Sequence, residues 1–462
     1  MFAPETYTNR RNSLRKEMQS GIILLPGNTD AAYNYPANQY TFRQDSNFSY
    51  FFGLDHPDLF GVLDVDNGVD YIFGNDVDID DIIWMGPQPS ISDLALKAGV
   101  KNTAPLGQLP AFIINLIQKG RPIHFAPTYR GETVIQLSDL LGIVPARLKD
   151  AVSLPLIKAI VKLRSVKSQE EIAEIEKAVD IAWLMFTTGM KMAKPGVKEQ
   201  EIVGAMEGIS VAHGRPVSFP IILSINGQTL HNHHHGNLLR EGRMLVMDGG
   251  TETELLYASD ITRSVPVGGK FNQKQKEIYE IVLNANLNAI PATKPGVFYR
   301  QCHDIACETI ASGLKDLGIM KGDVKEAVAA GAHALFMPHG LGHMLGMDVH
   351  DMEGLGQIYV GYDDEIQPSN LFGTAYLRMG RRLQPGFVIT NEPGIYFIPE
   401  LINIWKSENK FTEFINYNKV MEYLDFGGIR IEDDILVTAD GSRVLGKPIP
   451  KTVADVEATM GM

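Results

Sequence analysis

Short apolar runs bounded by turn residues alternate along the first 150 positions of the chain. GIILLPG, FGVLDVDNGVDYIFG and RPIHFAP have strand length and strand composition, while LGQLPAFIINLIQKG carries helical spacing. This pattern predicts a mixed α/β domain over residues 1–155. A different pattern follows over 156–462. SVKSQEEIAEIEKAVDIAWLMFTTGMKMA places Ile172, Ile175, Val179, Ala182, Trp183 and Phe186 at helical spacing, with Ser165 and Ser168 as possible caps. Lys194-Pro195-Gly196-Val197 stops that helix, and EQEIVGAMEGISVAHG supplies a second. The same helix, KPGV, helix arrangement recurs in KEIYEIVLNANLNAIPATKPGVFYRQCHDIACETIASGLKDLG. Pro-Gly is common between helices, so the matched helices on both sides are what point to an internal duplication. Strands follow each helix pair. The second domain is therefore expected to be α+β, two related halves around a shared sheet.

Composition narrows the classes. At 462 residues the chain exceeds one ordinary core, and 44% hydrophobic with 21% charged residues is the balance of a globular protein. A net charge of −13 argues against a nucleic-acid partner, which would need a positive stripe. MFAPETYTNRRNSLRKEMQSG has no apolar run of signal-peptide length, and no stretch approaches the ~20 apolar residues of a membrane span. A cytoplasmic location without membrane contact is expected. Cys302 and Cys307 stand alone in a helical stretch, so a disulfide framework is excluded and reduced thiols are expected rather than a zinc pair.

The chemistry lies in the second domain. RMLVMDGGTETELLYASDITRSV reads as two strands around a polar turn, and an antiparallel hairpin can set Asp248 opposite Asp260. Aspartate is unfavourable in strands, and two facing carboxylates repel unless a proton or a cation sits between them. The plain alternative is a pair of strand-end aspartates in turns. FVITNEPGIYFI puts Glu392 where an apolar strand meets a Pro-Gly turn. In FGGIRIEDDILVT, Arg430 and Glu432 alternate with Ile429 and Ile431, while Asp433 and Asp434 break the alternation and are expected in a bulge or at a solvent-facing edge. ALFMPHGLGHMLGMDVHD carries His339, His343 and His350, and its Pro338, Gly340 and Gly342 oppose a helix. In extended chain His339 and His343 share a face. Asp248, Asp260, His343, Glu392 and Glu432 form a set too rich in carboxylates for one small dication but suited to two. The oxygen-rich set favours Mn²⁺ or a similar ion. Arg430, beside Glu432 on one strand face, is placed to steady the acids, or else forms an unrelated ion pair.

Together, LVMDGG with ASDITR, PHGLGHMLGMDVHD, ITNEPGIYF and GGIRIEDD resemble the pita-bread metallopeptidases, the family of methionine aminopeptidase, aminopeptidase P and prolidase. RRNSLRKEM and FRQDSNFSYFFGLDHPD are similar to the leading domain of aminopeptidase P and prolidase, so the resemblance spans nearly the whole chain. It implies a pita-bread catalytic domain with a pseudo-two-fold duplication behind an aminopeptidase P-like domain. It implies two divalent ions, Mn²⁺ with Zn²⁺ or Co²⁺ as alternatives, held by the five residues above with Asp260 and Glu432 bridging. His231 in LHNHHH matches a substrate-side histidine, and His339 and His350 match two further active-site histidines. His233, His234 and His235 have no counterpart and are read as loop residues.

The insert containing TAYLRMGRRLQPG, the stretch ending YLDFGGIRIEDD and the tail KPIPKTVADVEATM look like prolidase. That implies hydrolysis of Xaa-Pro dipeptides, with Arg378 clamping the substrate's C-terminal carboxylate. A surface arginine clustered with Arg381 and Arg382 is the alternative for Arg378. For the whole protein, the alternatives are an aminopeptidase P acting on longer Xaa-Pro peptides and a non-catalytic peptide-binding relative. Glu392, Arg430, His231, His339 and His350 are the expected catalytic groups, small Xaa-Pro peptides the expected partners, and a homodimer the implied assembly.

Overall fold

The first apolar run becomes β1 (Ile22–Pro26), and a small hairpin, β2 (Ala32–Tyr35) with β3 (Asn38–Gln39), follows it. β4 (Phe60–Asp64), β5 (Val69–Phe73), β6 (Asn102–Ala104) and β7 (Ile123–His124) complete a five-stranded sheet in the order β6-β5-β4-β1-β7. β1, β4 and β5 pair antiparallel, whereas β6 and β7 add in parallel at the two edges. One sheet face buries Ile22, Leu24, Phe60 and Val62 against Leu109, Ile113 and Leu137 from the flanking helices. The computed structural model describes residues 1–461. This first unit comprises Met1–Arg164 with Glu353–Tyr359, and a second comprises Ser165–Met352 with Val360–Met462. No helix among the described residues is long and apolar enough to cross a membrane.

In the second unit, a helix spans Gln169–Met192 behind a Ser168–Glu171 capping box. It buries Ile172, Ile175, Val179, Ala182 and Phe186, while Trp183 turns partly outward under the Lys447 ammonium. Ser165 ends the preceding helix, Leu154–Ser165, rather than capping this one. The helices Glu199–His213, Gln273–Ala292 and Tyr299–Asp316 complete the two pairs.

The halves repeat each other down to individual hydrogen bonds. Gly196 and Gly296 both adopt positive φ, 87° and 83°, in their KPGV turns. Gly196 N–H donates to Leu239 O and Gly296 N–H to Leu383 O, both at 2.9 Å. The return bonds, Leu239 N to Val197 O and Leu383 N to Val297 O, are both 2.8 Å. Such a match in backbone pairing is what a duplicated unit produces.

Strands follow each helix pair, as the pattern predicts. β8 (Ile222–Ser224), β9 (Met244–Gly249) and β10 (Ile261–Pro266) form an antiparallel sheet in the order β10-β9-β8. β11 (Val388–Asn391) joins β14 (Asp433–Val437) and β15 (Ser442–Val444), and β12 (Gly394–Tyr396) pairs with β13 (Gly428–Arg430). A bridge between Thr262 and Glu432 joins the sheet of one half to the strands of the other.

Three local expectations need correction. Asp248 pairs with Thr262, not Asp260; Asp260 stands just before β10, two residues along the same face. The turn between the strands carries its own bridge, Glu252 with Ala258, which sets a register that inspection of the acids alone missed. Asp433 and Asp434 are buried, not solvent-facing, because β13 stops at Arg430 and β14 restarts the alternation at Asp433. His339 and His343 lie on irregular backbone rather than in a strand, and pairing there is a single bridge, Met344 with Ile389.

Candidate active site

Four of the candidate ligands are each tied through their own backbone N–H to another segment of the site. Glu432 N–H donates to Thr262 O at 3.0 Å, and Asp260 N–H donates to Asp434 Oδ2 at 3.1 Å. His343 N–H donates to Thr390 Oγ1 at 3.1 Å, while Thr390 N–H returns a 3.0 Å bond to His343 O. Gly342 permits that exchange, since a Cβ there would lie 2.2 Å from Thr390 O. Glu392 N–H donates to Leu341 O at 2.8 Å. The side chains of Asp248, Asp260, His343, Glu392 and Glu432 thus line one cavity of about 610 Å³, together with His231, His339, His350, Arg378 and Arg430. Every residue singled out from the sequence as a site candidate is brought to this cavity. His233 lines it as well, whereas His234 and His235 do not.

The electrostatics identify what the cavity lacks. Burial, reinforced by Asp248, raises Asp260 well above the usual carboxylate range. Burial and then Asp260 and Glu392 do the same to Glu432. Glu392 is raised to about 8 by burial, with Arg430 opposing and Asp260 and Asp248 adding. Asp248 accepts from Arg430 through Oδ2, but its Oδ1 is buried without a hydrogen-bond partner. His343 donates Nδ1–H to Met344 O at 3.0 Å, leaving its lone pair on Nε2. That nitrogen faces Asp260 Oδ2 at 3.3 Å and Glu392 Oε1 at 3.8 Å. Asp260, His343 and Glu432 each place a donor atom within 4.8 Å of the others'. Acceptors turned toward acceptors in a largely buried pocket fit a bound cation, and oxygen with imidazole nitrogen is the donor chemistry of divalent metals.

A second group surrounds these candidate ligands. Arg430 donates through Nη1 to Tyr396 Oη at 2.7 Å and through Nε to Thr262 Oγ1 at 3.1 Å. Thr262 in turn donates to Glu432 Oε2 at 2.7 Å. His339 Nδ1–H donates to Gly340 O, so its Nε2 accepts the Tyr396 hydroxyl at 3.0 Å. Burial and Arg430 lower His339 to about 3, and it stays neutral despite lying 4.0 Å from Glu392. His350 stacks edge-on against His343 with ring centroids 4.3 Å apart. His231 is lowered by partial burial and by Arg430, so its ring is a neutral N–H donor near neutral pH.

Sequence reasoning passed over Tyr396 and Arg263, gave Thr262 no role beyond sharing a strand face with Asp260, and put Asp434 at a bulge or solvent-facing edge. Arg263 donates to Glu432 O at 2.6 Å and to Asp433 Oδ1 at 2.7 Å, locking β10 to β14 behind the acids. A polar residue in mid-strand, Arg263 or Thr262, was the one signal that could have marked them.

Comparisons with known proteins show what the chain is similar to. The model of metallopeptidase family M24 matches residues 173–439, and that of the aminopeptidase P N-terminal domain matches residues 7–124. Human Xaa-Pro dipeptidase is 32% identical, the match covering 97% of this chain and 90% of the human one. A probable Xaa-Pro aminopeptidase of Fusarium vanettenii is 35% identical, over 95% of this chain and 92% of its own. The structure of aminopeptidase PepP from Pseudomonas aeruginosa superposes with a TM-score of 0.82 at 27% identity, covering 99% of this chain and 98% of that one. Zinc-substituted Escherichia coli aminopeptidase P in complex with product gives 0.81 at 29% identity, over 100% and 98%.

Proposed function

Because this chain belongs to metallopeptidase family M24, we propose that it is a dinuclear-metal Xaa-Pro dipeptidase that releases proline from small peptides. The coarser statement, a metal-dependent exopeptidase hydrolysing Xaa-Pro peptides, follows from the family and from relatives named for both dipeptidase and aminopeptidase activity. In this reading Asp248, Asp260, His343, Glu392 and Glu432 would hold two divalent cations, Mn²⁺ first. The lone Asp248 Oδ1 and the Nε2 of His343 turned toward carboxylates support that reading. With four carboxylates against Arg430, two dications leave a small positive excess for the charge that develops on the substrate.

When bound, such a pair polarises the scissile carbonyl and acidifies water enough to attack it at neutral pH. The chain's own groups do the rest. Glu392, the more solvent-open carboxylate at 20% side-chain exposure against 7% for Asp260, takes the proton of the attacking water and returns it to the prolyl nitrogen. His231 and His350 donate N–H groups to the developing oxyanion. His339 has both ring nitrogens engaged, so it positions Tyr396 and the cavity wall instead of exchanging protons. Proline lacks an N–H and fixes φ, which makes its bond a poor substrate for peptidases that bind a hydrogen-bonded strand. Phe219, Tyr376, Ile398 and Leu401 offer apolar wall for such a ring.

The observation that carries the dipeptide reading is Arg378 on the wall of the same cavity, near enough for its charge to act on His231 and Glu392. A guanidinium there suits a carboxylate one residue beyond the scissile bond. The test compares Gly-Pro with Ala-Pro-Ala on Mn²⁺-reconstituted protein, with metal counted per chain. Arg378→Ala should lower kcat/KM for Gly-Pro by about a hundredfold, the worth of a charge-assisted bond of ~2–3 kcal/mol, and leave the tripeptide nearly untouched. An unchanged dipeptide preference in that variant would sink the clamp. The second reading, aminopeptidase P, is favoured by the solved neighbours, which bear that name. Faster tripeptide cleavage by the unmodified protein would select it. Protein inert toward every Xaa-Pro peptide with Mn²⁺ present would select the non-catalytic reading. A cytoplasmic location and a homodimer belong to the same proposal, read out by cell fractionation and by sedimentation.

A further inference from the structure

Away from the cavity, the helix Tyr299–Asp316 packs against the 3-10 turn Ala332–Leu335 around a second cluster of ligating side chains. His303 and Cys307 are one helical turn apart on that helix, on the face that meets the turn bearing His333. Their exposures are 0%, 0% and 1%. Cys307 Sγ is 3.4 Å from His303 Nε2, and the two imidazole rings lie 6.3 Å apart at 68°. One ligating atom from each residue falls within 4.8 Å of the others'. The ring of His333 is buried and turned into the cluster, and with the Val328 backbone the one group that hydrogen-bonds toward it, at least one of its nitrogens has no partner among the described residues. A buried polar atom left so has lost its hydration without a replacement bond, which makes the arrangement unfavourable unless something occupies it.

We propose that His303, Cys307 and His333 form a binding site for one monovalent copper ion, separate from the peptidase centre. Ligand distances of ~2.3 Å to sulfur and ~2.0 Å to nitrogen place the corners of a trigonal site about 3.5–3.7 Å apart, within small rotamer changes of the cluster seen here. Thiolate with imidazole is a donor set for soft or borderline ions, unlike the oxygen-rich peptidase centre. Ligand number, more than charge, chooses between Cu⁺ and Zn²⁺. Burial raises the Cys307 thiol and lowers both imidazoles, His333 to about 4, so the empty cluster is neutral. Loading exchanges one proton for one ion: the Cys307 S–H bond breaks, a sulfur–copper bond forms, and H⁺ leaves to solvent. The product with Cu⁺ is neutral. Zn²⁺ would leave one positive charge on the three ligands, with Arg300 paired to Asp304 at 2.9 Å and the adjoining Glu308 carboxylate acting on Cys307. Zn²⁺ would also want a fourth ligand, and the buried cluster offers three. Bound Cu⁺ would tie the helix to the segment that leads into His339.

The test uses full-length protein with its peptidase metals in place, purified without oxygen and titrated with Cu⁺ under ascorbate against a bathocuproine competitor. The unmodified chain should hold one equivalent more than Cys307→Ser or His333→Gln, while Cys302→Ser should retain it. X-ray absorption at the copper edge of the unmodified protein should report one sulfur and two nitrogen neighbours, a readout independent of how the variants fold. Equal copper in the unmodified protein and Cys307→Ser, a copper shell without sulfur, or a zinc equivalent held in preference to copper would each overturn the proposal.

Discussion

At the scale of single residues, the site depends on a relay in which one hydroxyl serves two partners. Tyr396 accepts from Arg430, the counter-charge of Asp248, and donates to His339, whose other nitrogen is fixed on Gly340 O. Burial, only partly offset by Arg430, raises the Tyr396 hydroxyl to about 12, so it remains a donor throughout the working pH range. Tyr396→Phe removes both bonds and leaves an imidazole acceptor and a guanidinium N–H unmet. Losing a bond to a charged group costs ~1.5–3 kcal/mol, so kcat should fall roughly ten- to a hundredfold with KM and bound metal nearly unchanged. Steady-state kinetics paired with metal analysis reads this out, and an unaltered kcat would reduce the relay to scaffolding. The candidate ligands of this site could be picked out in the sequence because aspartate and glutamate are out of place in apolar strands. Tyr396 was not, since an aromatic residue in a strand is what ordinary core packing also calls for. His303, Cys307 and His333 were hidden for a different reason: their convergence depends on how a helix packs on a distant turn.

At the scale of elements, strands that carry acids are held together by buried cations. Arg263 on β10 reaches the carbonyls of Thr262 and Glu432, the carboxylate of Asp433 on β14, and the Ile449 and Pro450 carbonyls of the C-terminal tail. Lys451 and Asn286 also contact Asp433, and despite burial Arg263 and Lys451 hold its carboxyl far below the usual range. Arg263→Met removes the larger part of this lock and should destabilise the fold by about 3–5 kcal/mol, the cost of breaking a buried pair from one side. Urea unfolding measures it, and a loss under about 1 kcal/mol would mean the lock is a surface-grade contact. In the first unit, Asp64 at the end of β4 is lowered, against burial, by hydrogen bonds from Arg121 and Asn67. A carboxylate with a depressed folded pKa stabilises above its unfolded value and loses that contribution as pH falls through the folded one. Stability of the unmodified protein should therefore drop more steeply below about pH 4 than that of Arg121→Gln, since ~3.9 is the unfolded aspartate value. Parallel slopes in acid denaturation would remove Arg121 from the account. The burial of Asp433 and Asp434 was unreadable from alternation alone. The break between β13 and β14 resets the period, and only pairing partners reveal on which side each carboxylate falls.

At the scale of the whole chain, the duplication could be read because its turn, KPGV, is chemically constrained: proline stops one helix and a positive-φ glycine starts the next segment. What could not be read is how the halves meet, since the Thr262–Glu432 bridge joins positions far apart in sequence and has no local signature. That meeting also makes stability depend on metal. Asp248 and Asp260 come from one half, and His343, Glu392 and Glu432 from the other, so the unfolded chain holds no such constellation. A cation that binds only the folded form stabilises it by RT ln(1 + [L]/Kd), about 4 kcal/mol at a thousandfold excess over Kd. Without it, Asp248, Asp260, Glu392 and Glu432 face one another with Arg430 as their shared counter-charge. Exhaustive dialysis against a chelator should therefore lower the melting transition by several degrees, at roughly 2–4 °C per kcal/mol, and Mn²⁺ should restore it. In Asp260→Asn/Glu432→Gln the repulsion and the cation site disappear together, so the chelator should no longer move the transition. If the unmodified protein melts at one temperature with and without metal while its peptidase activity vanishes and returns, the cations cannot be held by ligands drawn from both halves, and the metal centre must be sought elsewhere on the chain.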